Sequence, residues 1–286
     1  MSRRATDSLA LNAQYTLSRS FGNTSGSNEA LTAANNARTL DQFNYDVGYN
    51  AFDVRHTFNL SALYSIPYGQ GRTHPASGVS DLVLGGWNVG GIWNARSGLP
   101  IDVRITRPDI VYVDAAGNVF NNQAPGRTAV INTPGGGNSR NVRRPDLVPG
   151  VNPFVMDGGV LFLNPAAFAT PAPGTFGNLE RGALHGPGFS QIDLVVSKKF
   201  PFGGPRNAEF RIEVFNLFNR TNFSNPVATL PNALPTNALT ETNKVQPGQA
   251  LTPAAAGTFG SITSTVGRTV GLGTSRQMQL AFRLNF

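Results

Sequence analysis

Residues 276–286, RQMQLAFRLNF, alternate between apolar and polar side chains and stop on a phenylalanine. In an extended chain Met278, Leu280, Phe282, Leu284 and Phe286 fall on one face, and Gln277, Gln279, Ala281, Arg283 and Asn285 on the other. Such a strand cannot satisfy both faces in water. With lipid on one side and a wet interior on the other it satisfies both, and this is the demand placed on the wall of a transmembrane β-barrel.

The same period of two recurs upstream in residues 7–19 (Leu9, Leu11, Ala13, Tyr15, Leu17), 53–66 (Val54, His56, Phe58, Leu60, Ala62, Tyr64) and 86–105 (Trp87, Val89, Gly91, Trp93, then Ile101, Val103, Ile105). It returns in 190–200 (Ile192, Leu194, Val196) and 208–218 (Phe210, Ile212, Val214). The connections between these six segments run long, short, long, short, long. Outer-membrane barrels have that asymmetry, with short periplasmic turns and longer extracellular loops. To preserve it, residues 86–105 are read as one long kinked strand rather than two strands broken at Ser97-Gly98-Leu99-Pro100. The expected fold is all-β: an antiparallel up-and-down transmembrane barrel wall of about six strands. Residues 106–188, read as structureless, and 220–275 form its extracellular loops. Aromatics beside Pro and Gly, Tyr68 in SIPYG and Phe202 in KFPFG, are expected at the periplasmic interface. GTFGNL at 174–179 and GTFGSI at 257–262 form a second internal echo, one in each of the two longest loops.

Composition agrees. Gly 32 and Pro 20 supply turns and loops, while only 14% charged residues leaves much of the surface to be covered by something other than charge. No apolar run approaches the ~18 residues of a transmembrane helix, but a barrel strand needs only about 9–11. A formal charge of +7 raises the question of nucleic acid. The basic residues are dispersed apart from Arg140, Arg143 and Arg144, and no basic stripe interleaved with aromatics exists, so nucleic acid is set aside. The absence of cysteine removes disulfides, zinc-thiolate sites and thiol catalysis. The N-terminus lacks the apolar core of a signal peptide. Residues 1–286 read as one domain.

Chemistry-bearing residues are few. His56, His74 and His185 stand apart without metal-ligand spacing, and the Gly135–Gly137 run lacks the Lys-Ser/Thr of a phosphate loop. Asp109, Asp114, Asp146 and Asp157 in the long loop are weighed as cation ligands, but lack EF-hand spacing. Glu209, Arg211 and Glu213 alternate with Phe210, Ile212 and Val214. Opposite charges alternating on one strand face suit cross-strand pairing in a polar lumen better than acid/base catalysis. The lumen-facing candidates for ligand contact are Arg55, Asp193, Glu209, Arg211, Glu213 and Arg283. No catalytic residue, metal ligand or cofactor is assigned, and no enzymatic activity is expected.

These stretches resemble the C-terminal barrel of a TonB-dependent outer-membrane receptor. The likeness is greatest to the Oar-like kind with an N-terminal carboxypeptidase-regulatory-like domain, common in acidobacteria. The matching stretches are DVRHTF (53–58), GGW (85–87), SGLP (97–100), NPAAF (164–168), GPGF (186–189) and FRIEVFNLFN (210–219), together with the terminal strand. NLERG at 178–182 stands where Gly-Arg-Asn is usual. The resemblance implies a plugged barrel in the outer membrane of a Gram-negative bacterium, importing a scarce solute with energy delivered by the TonB complex. It also implies that Leu280, Phe282, Leu284 and Phe286 form the signal read by the barrel-assembly machinery, and that outer-membrane lipid surrounds the wall. Six strands are fewer than the eight of the smallest barrels. The chain is therefore read as the C-terminal part of a longer receptor whose plug, TonB-contacting segment and signal peptide lie outside it. A passive porin and a secreted β-rich adhesion or binding protein are the alternatives.

Overall fold

The computed structural model describes residues 2–6, 8–23, 43–69, 71–133, 144–204, 206–267 and 272–286. Seven strands form one sheet in strict sequence order: β1 (Ser2–Thr6), β2 (Leu9–Leu17), β3 (His56–Ser65), β4 (Trp87–Arg96), β5 (Phe189–Gly203), β6 (Arg206–Phe215) and β7 (Gln277–Asn285). Every neighbouring pair is antiparallel. Sequential antiparallel order is the up-and-down meander expected of a barrel wall. The wall described is an arc: β1 and β7 are its two edges, with no ladder between them among the described residues.

All six expected strands are present, and β1 is an addition. Its five residues, SRRAT, carry no apolar alternation, so only its pairing with β2 reveals it. Five wall strands, β2, β3, β4, β6 and β7, have 9 or 10 residues, the length needed to cross a hydrocarbon layer at a tilt.

Register carries the two faces across the sheet. Opposite residues in an antiparallel pair point the same way, so Leu11↔Ala62↔Gly91↔Leu194↔Val214↔Met278 traces the apolar face. One residue along, Asn12↔Ser61↔Ile92↔Asp193 traces the other. On β7 the outward side chains Met278, Leu280 and Phe282 remain 68%, 63% and 65% exposed. Each would be stabilised by roughly 1.5–3 kcal/mol on leaving water, so this face requires a lipid neighbour. Aromatics gather at both ends of it. Phe58 packs edge-on against Trp93 at 5.0 Å, and Tyr15 Oη and His56 Nδ1 share a 2.7 Å hydrogen bond at the loop-bearing end. Tyr64, Tyr68, Trp87, Phe202 and Phe286 lie toward the short-turn end.

The long connections do not match their expectation. The kinked strand ends at Arg96; Pro100–Ile101 pairs instead with Leu184–His185, and Arg104–Ile105 runs parallel to Thr229–Leu230. Chain geometry at Gly98 and Gly186 forces the break. A side chain on Gly98 would overlap the Gly186 carbonyl, and one on Gly186 would overlap the Asn225 amide, so the chains touch backbone to backbone and leave the wall together. The parity argument survives, because residues 97–105 do not return across the wall.

Nor is 106–188 structureless. Val119–Phe120, Ile110–Asp114 and Arg127–Ile131 make a three-stranded sheet, Phe154–Asp157 and Val160–Leu163 a hairpin, and Asp146–Leu147 pairs with Phe168–Ala169. The hairpin and the Asp146–Leu147/Phe168–Ala169 pair join residues 228–259 around a buried core of Ile101, Val103, Phe168, Leu230, Leu251 and Phe259 among others, while Val111 and Val119 of the three-stranded sheet pack with Leu234 in a second cluster. Phe168 is fully buried, with the Phe259 ring edge-on at 5.1 Å. The loops therefore form a folded cap on the extracellular end.

Phe168→Ala is expected to destabilise the cap by about 3–5 kcal/mol. Limited proteolysis should then cut within residues 144–260, while the heat-modifiable gel mobility of the wall is retained. Loss of both together would mean that cap and wall fold as one unit.

Candidate functional site

The polar face of the wall is the surface available to a solute. On β6, Arg211 lies between the two glutamates of its own strand, Nη2 3.2 Å from Glu209 Oε1 and Nη1 3.4 Å from Glu213 Oε1. Glu209 faces Lys199 on β5 and Arg283 on β7. Glu209, Arg211, Glu213, Gln279, Ala281 and Arg283 line a concavity of about 170 Å³. Arg283 makes no ion pair within 4.0 Å among the described residues, so in this concavity it is the cation available to a ligand. Exposed pairs of this kind contribute at most about 1 kcal/mol to stability. Their arrangement suits recognition better than folding.

The other two candidates are placed differently. Asp193 lies on the polar face, but its Oδ1 accepts hydrogen bonds from Gln191 Nε2 (2.7 Å) and Asn216 N (2.8 Å). Asn216 sits at φ 52 and its amide donates to the Arg220 and Thr274 carbonyls, so Asp193 anchors the turn that carries β6 into the cap. Arg55 precedes the first residue of β3 and lies at the extracellular rim, with Nη1 3.5 Å from the Ser18 carbonyl.

Sequence reasoning missed an apolar island on this face. Ala10, Leu63, Gly90 and Val195 are register neighbours across β2 to β5, with Ile92 beside them. Together with Asn12 and Ser61 they surround a concavity of about 430 Å³. A side chain at Gly90 would strike Val195, so the glycine makes room for it. Leu63 and Ile92 are each 48% exposed. The signal was present in the sequence: both occupy positions whose partners two residues away, Ser61, Ser65, Gly90 and Asn94, are small or polar.

Above the wall, buried arginines tie the cap together. Arg107 donates to the carbonyls of Asn132, Pro171, Ala172 and Thr175. Arg181, in the divergent NLERG stretch, donates to the Gly22 and Gly48 carbonyls. Its pKa is lowered by burial, against the opposing pull of Asp102 and Asp46. Arg144, of the basic trio, is buried against Asp46 and the Tyr45 carbonyl, whereas Arg140, Arg143 and Gly135–Gly137 lie outside the described residues. The loop aspartates do not converge. Asp114 closes its own turn through Asn118 and Ala116, chiefly the Asn118 amide, and is held below the usual carboxylate range. Asp146 receives Asn178 N, and Asp109 receives the Thr133 hydroxyl. Glu241 is lowered likewise by the N–H groups of Asn237, Ala238 and Thr236. Among the described residues no group of three or more His, Asp or Glu side chains is placed to hold a metal ion.

A family model described as an outer membrane beta barrel domain matches residues 1–279. The chain belongs to that family. This outer membrane beta barrel domain protein accordingly resides in the outer membrane of a Gram-negative bacterium, with the apolar face against lipid. No curated protein and no solved structure gives a match.

The two kinds of polar-face residue should separate under mutation. Asp193→Ala leaves the Asn216 N–H and the Gln191 amide without their acceptor and is expected to cost about 1–3 kcal/mol in urea unfolding of the barrel. Arg283→Ala is expected to stay within about 0.5 kcal/mol of the parent. Equal losses would remove the distinction between turn anchor and available cation.

Proposed function

We propose that the chain is the C-terminal barrel of a TonB-dependent receptor that actively takes up a scarce solute. The observation that carries this reading, against a passive porin, is the apolar island of Leu63, Ile92 and Val195 on an otherwise polar lumen face. A water-filled pore has no use for exposed aliphatic side chains in its wall; a lumen filled by a packed plug has. The cored cap supports the same reading, since it offers a shaped surface to a particular solute above the lumen. Catalysis plays no part in it. The energy source is the TonB complex of the inner membrane, acting through a plug outside this chain.

The chain lacks cysteine, so single cysteines can report on the island directly. In outer membranes, Ile92→Cys should react with a small water-soluble maleimide at least about tenfold more slowly than Gln279→Cys on the same face. Solute uptake should also cease when the proton-motive force is collapsed. Fast labelling at position 92 together with uptake that persists without the proton-motive force would establish the porin instead.

The barrel-assembly machinery is the second partner in this proposal, reading the terminal apolar residues Leu280, Phe282, Leu284 and Phe286. Phe286 is almost wholly exposed and contributes little to packing. Phe286→Ala should therefore lower the outer-membrane yield several-fold while leaving the unfolding midpoint of the assembled fraction unchanged. Unchanged yield would refute the role of the last residue.

A further inference from the structure

At the short-turn end, the connection between β3 and β4 folds back against the outside of the wall. Its short helix α1 (Val79–Leu84) leaves Val79, Leu82, Val83 and Leu84 half or more exposed. Three hydrogen bonds hold it there: Trp87 Nε1 donates to Val83 O (2.8 Å), and Lys198 Nζ donates to Val83 O (3.2 Å) and Gly85 O (2.6 Å). Trp87 and Lys198 are register partners on the outward face, so the helix is pinned on the lipid side of the rim.

Between this connection and the β5–β6 turn lies a groove of about 710 Å³. One part is apolar and faces outward: Phe200, Ala208, Phe282 and Leu82. Its rim carries Arg72 and Arg206 against one carboxylate, Asp81, while Lys199 lies beside Gly86 through its backbone and shares the opposite face with Glu209. That carboxylate lies against the Gly69 and Gly85 backbones, where a side chain on either glycine would strike it. Short turns of outer-membrane barrels face the periplasm, so the groove opens at the inner leaflet.

We propose that this groove binds one anionic phospholipid of the inner leaflet, with an acyl chain along Phe200, Ala208 and Phe282 and the phosphate between Arg72 and Arg206. Charge sets the choice: two arginines against one carboxylate leave a net positive rim that suits an anionic headgroup. Depth sets it too, because the cations stand beside an apolar surface at the level where the phosphates of a bilayer lie. Basic side chains beside an anionic headgroup strengthen binding several-fold each near the membrane surface.

The test is native mass spectrometry of the whole protein released from detergent, titrated with phosphatidylglycerol, phosphatidylcholine or glycerol 3-phosphate. Phosphatidylglycerol should be retained about tenfold or more over phosphatidylcholine, and glycerol 3-phosphate should not compete. The paired variant Arg72→Gln, Arg206→Gln should lose that preference, and Lys244→Gln in the cap should keep it; heat-modifiable gel mobility confirms that each is folded. Equal retention of both lipids by the parent protein overturns the proposal without any variant. So does an unchanged preference in the folded paired variant, and competition by glycerol 3-phosphate would show a free-phosphate site instead of a lipid site.

Discussion

Everything in this protein follows from one constraint: a backbone that crosses hydrocarbon must pair its own N–H and C=O groups, because lipid offers no partner. Seven strands in sequence order meet that constraint with ladders between nearest neighbours in the chain. Once the ladders are fixed, the pleat assigns every side chain to lipid or lumen, and a slip of one residue would exchange the two sets across the whole wall. The register from β2 to β7 is continuous along that division. The constraint also bears on the edges. Among the described residues β1 and β7 are the ends of the sheet, where the ladder of backbone hydrogen bonds stops.

The wall leaves its large apolar side chains outward, so the hydrophobic core of this protein lies elsewhere. It is in the cap, where Phe168, Leu230, Leu234 and Leu251 are almost completely inaccessible. The cap faces water and must exclude it as any soluble domain does. Its segments are mostly too short for long ladders, so many backbone carbonyls would be left without donors. Arg107 and Arg181 fill that role, Arg107 reaching four carbonyls and Arg181 two, in each case from separate segments. Leaving such groups unmet in the interior costs about 1–3 kcal/mol apiece.

This division explains what the sequence discloses and what it hides. Alternation is a local signal, and β2 to β7 are legible because each strand meets two solvents. The cap core draws on Ile101, Leu184, Leu230 and Phe259, which share no period, and its contacts become visible only when the chain is folded. The divergence of the chain from the wall at Gly98 was hidden for a similar reason. Ile101, Val103 and Ile105 keep the alternation of the strand before them, but their apolar side chains enter the cap core rather than lipid. Period two says that one face is apolar; it does not say what covers that face. On the lumen side, Glu209, Arg211 and Glu213 were legible from alternation alone, while the commitment of Asp193 to the Asn216 turn depends on a contact 23 residues away.

Lys198 is the informative exception on the lipid face. A lysine on the outer surface of such a wall costs about 2–4 kcal/mol at the bilayer midplane and about 0–1 near the interface. Its ammonium donates to the carbonyls of Val83 and Gly85 and stands 4.8 Å from the centre of the Trp87 ring, which is the environment of the interface. It therefore marks where hydrocarbon ends on the periplasmic side. On β3, His56, hydrogen-bonded to Tyr15, marks the other boundary, and Ser65 is register partner to Asn88, the residue after Trp87. From His56 to Ser65 the strand rises about 30 Å. At a tilt of about 35–45° that spans roughly 21–25 Å of depth, close to the ~25 Å apolar band of outer-membrane barrels. The groove beside Lys198 thus lies at the depth of the phosphates, and the residues that hold α1 against the wall are the same ones that fix its position in the membrane.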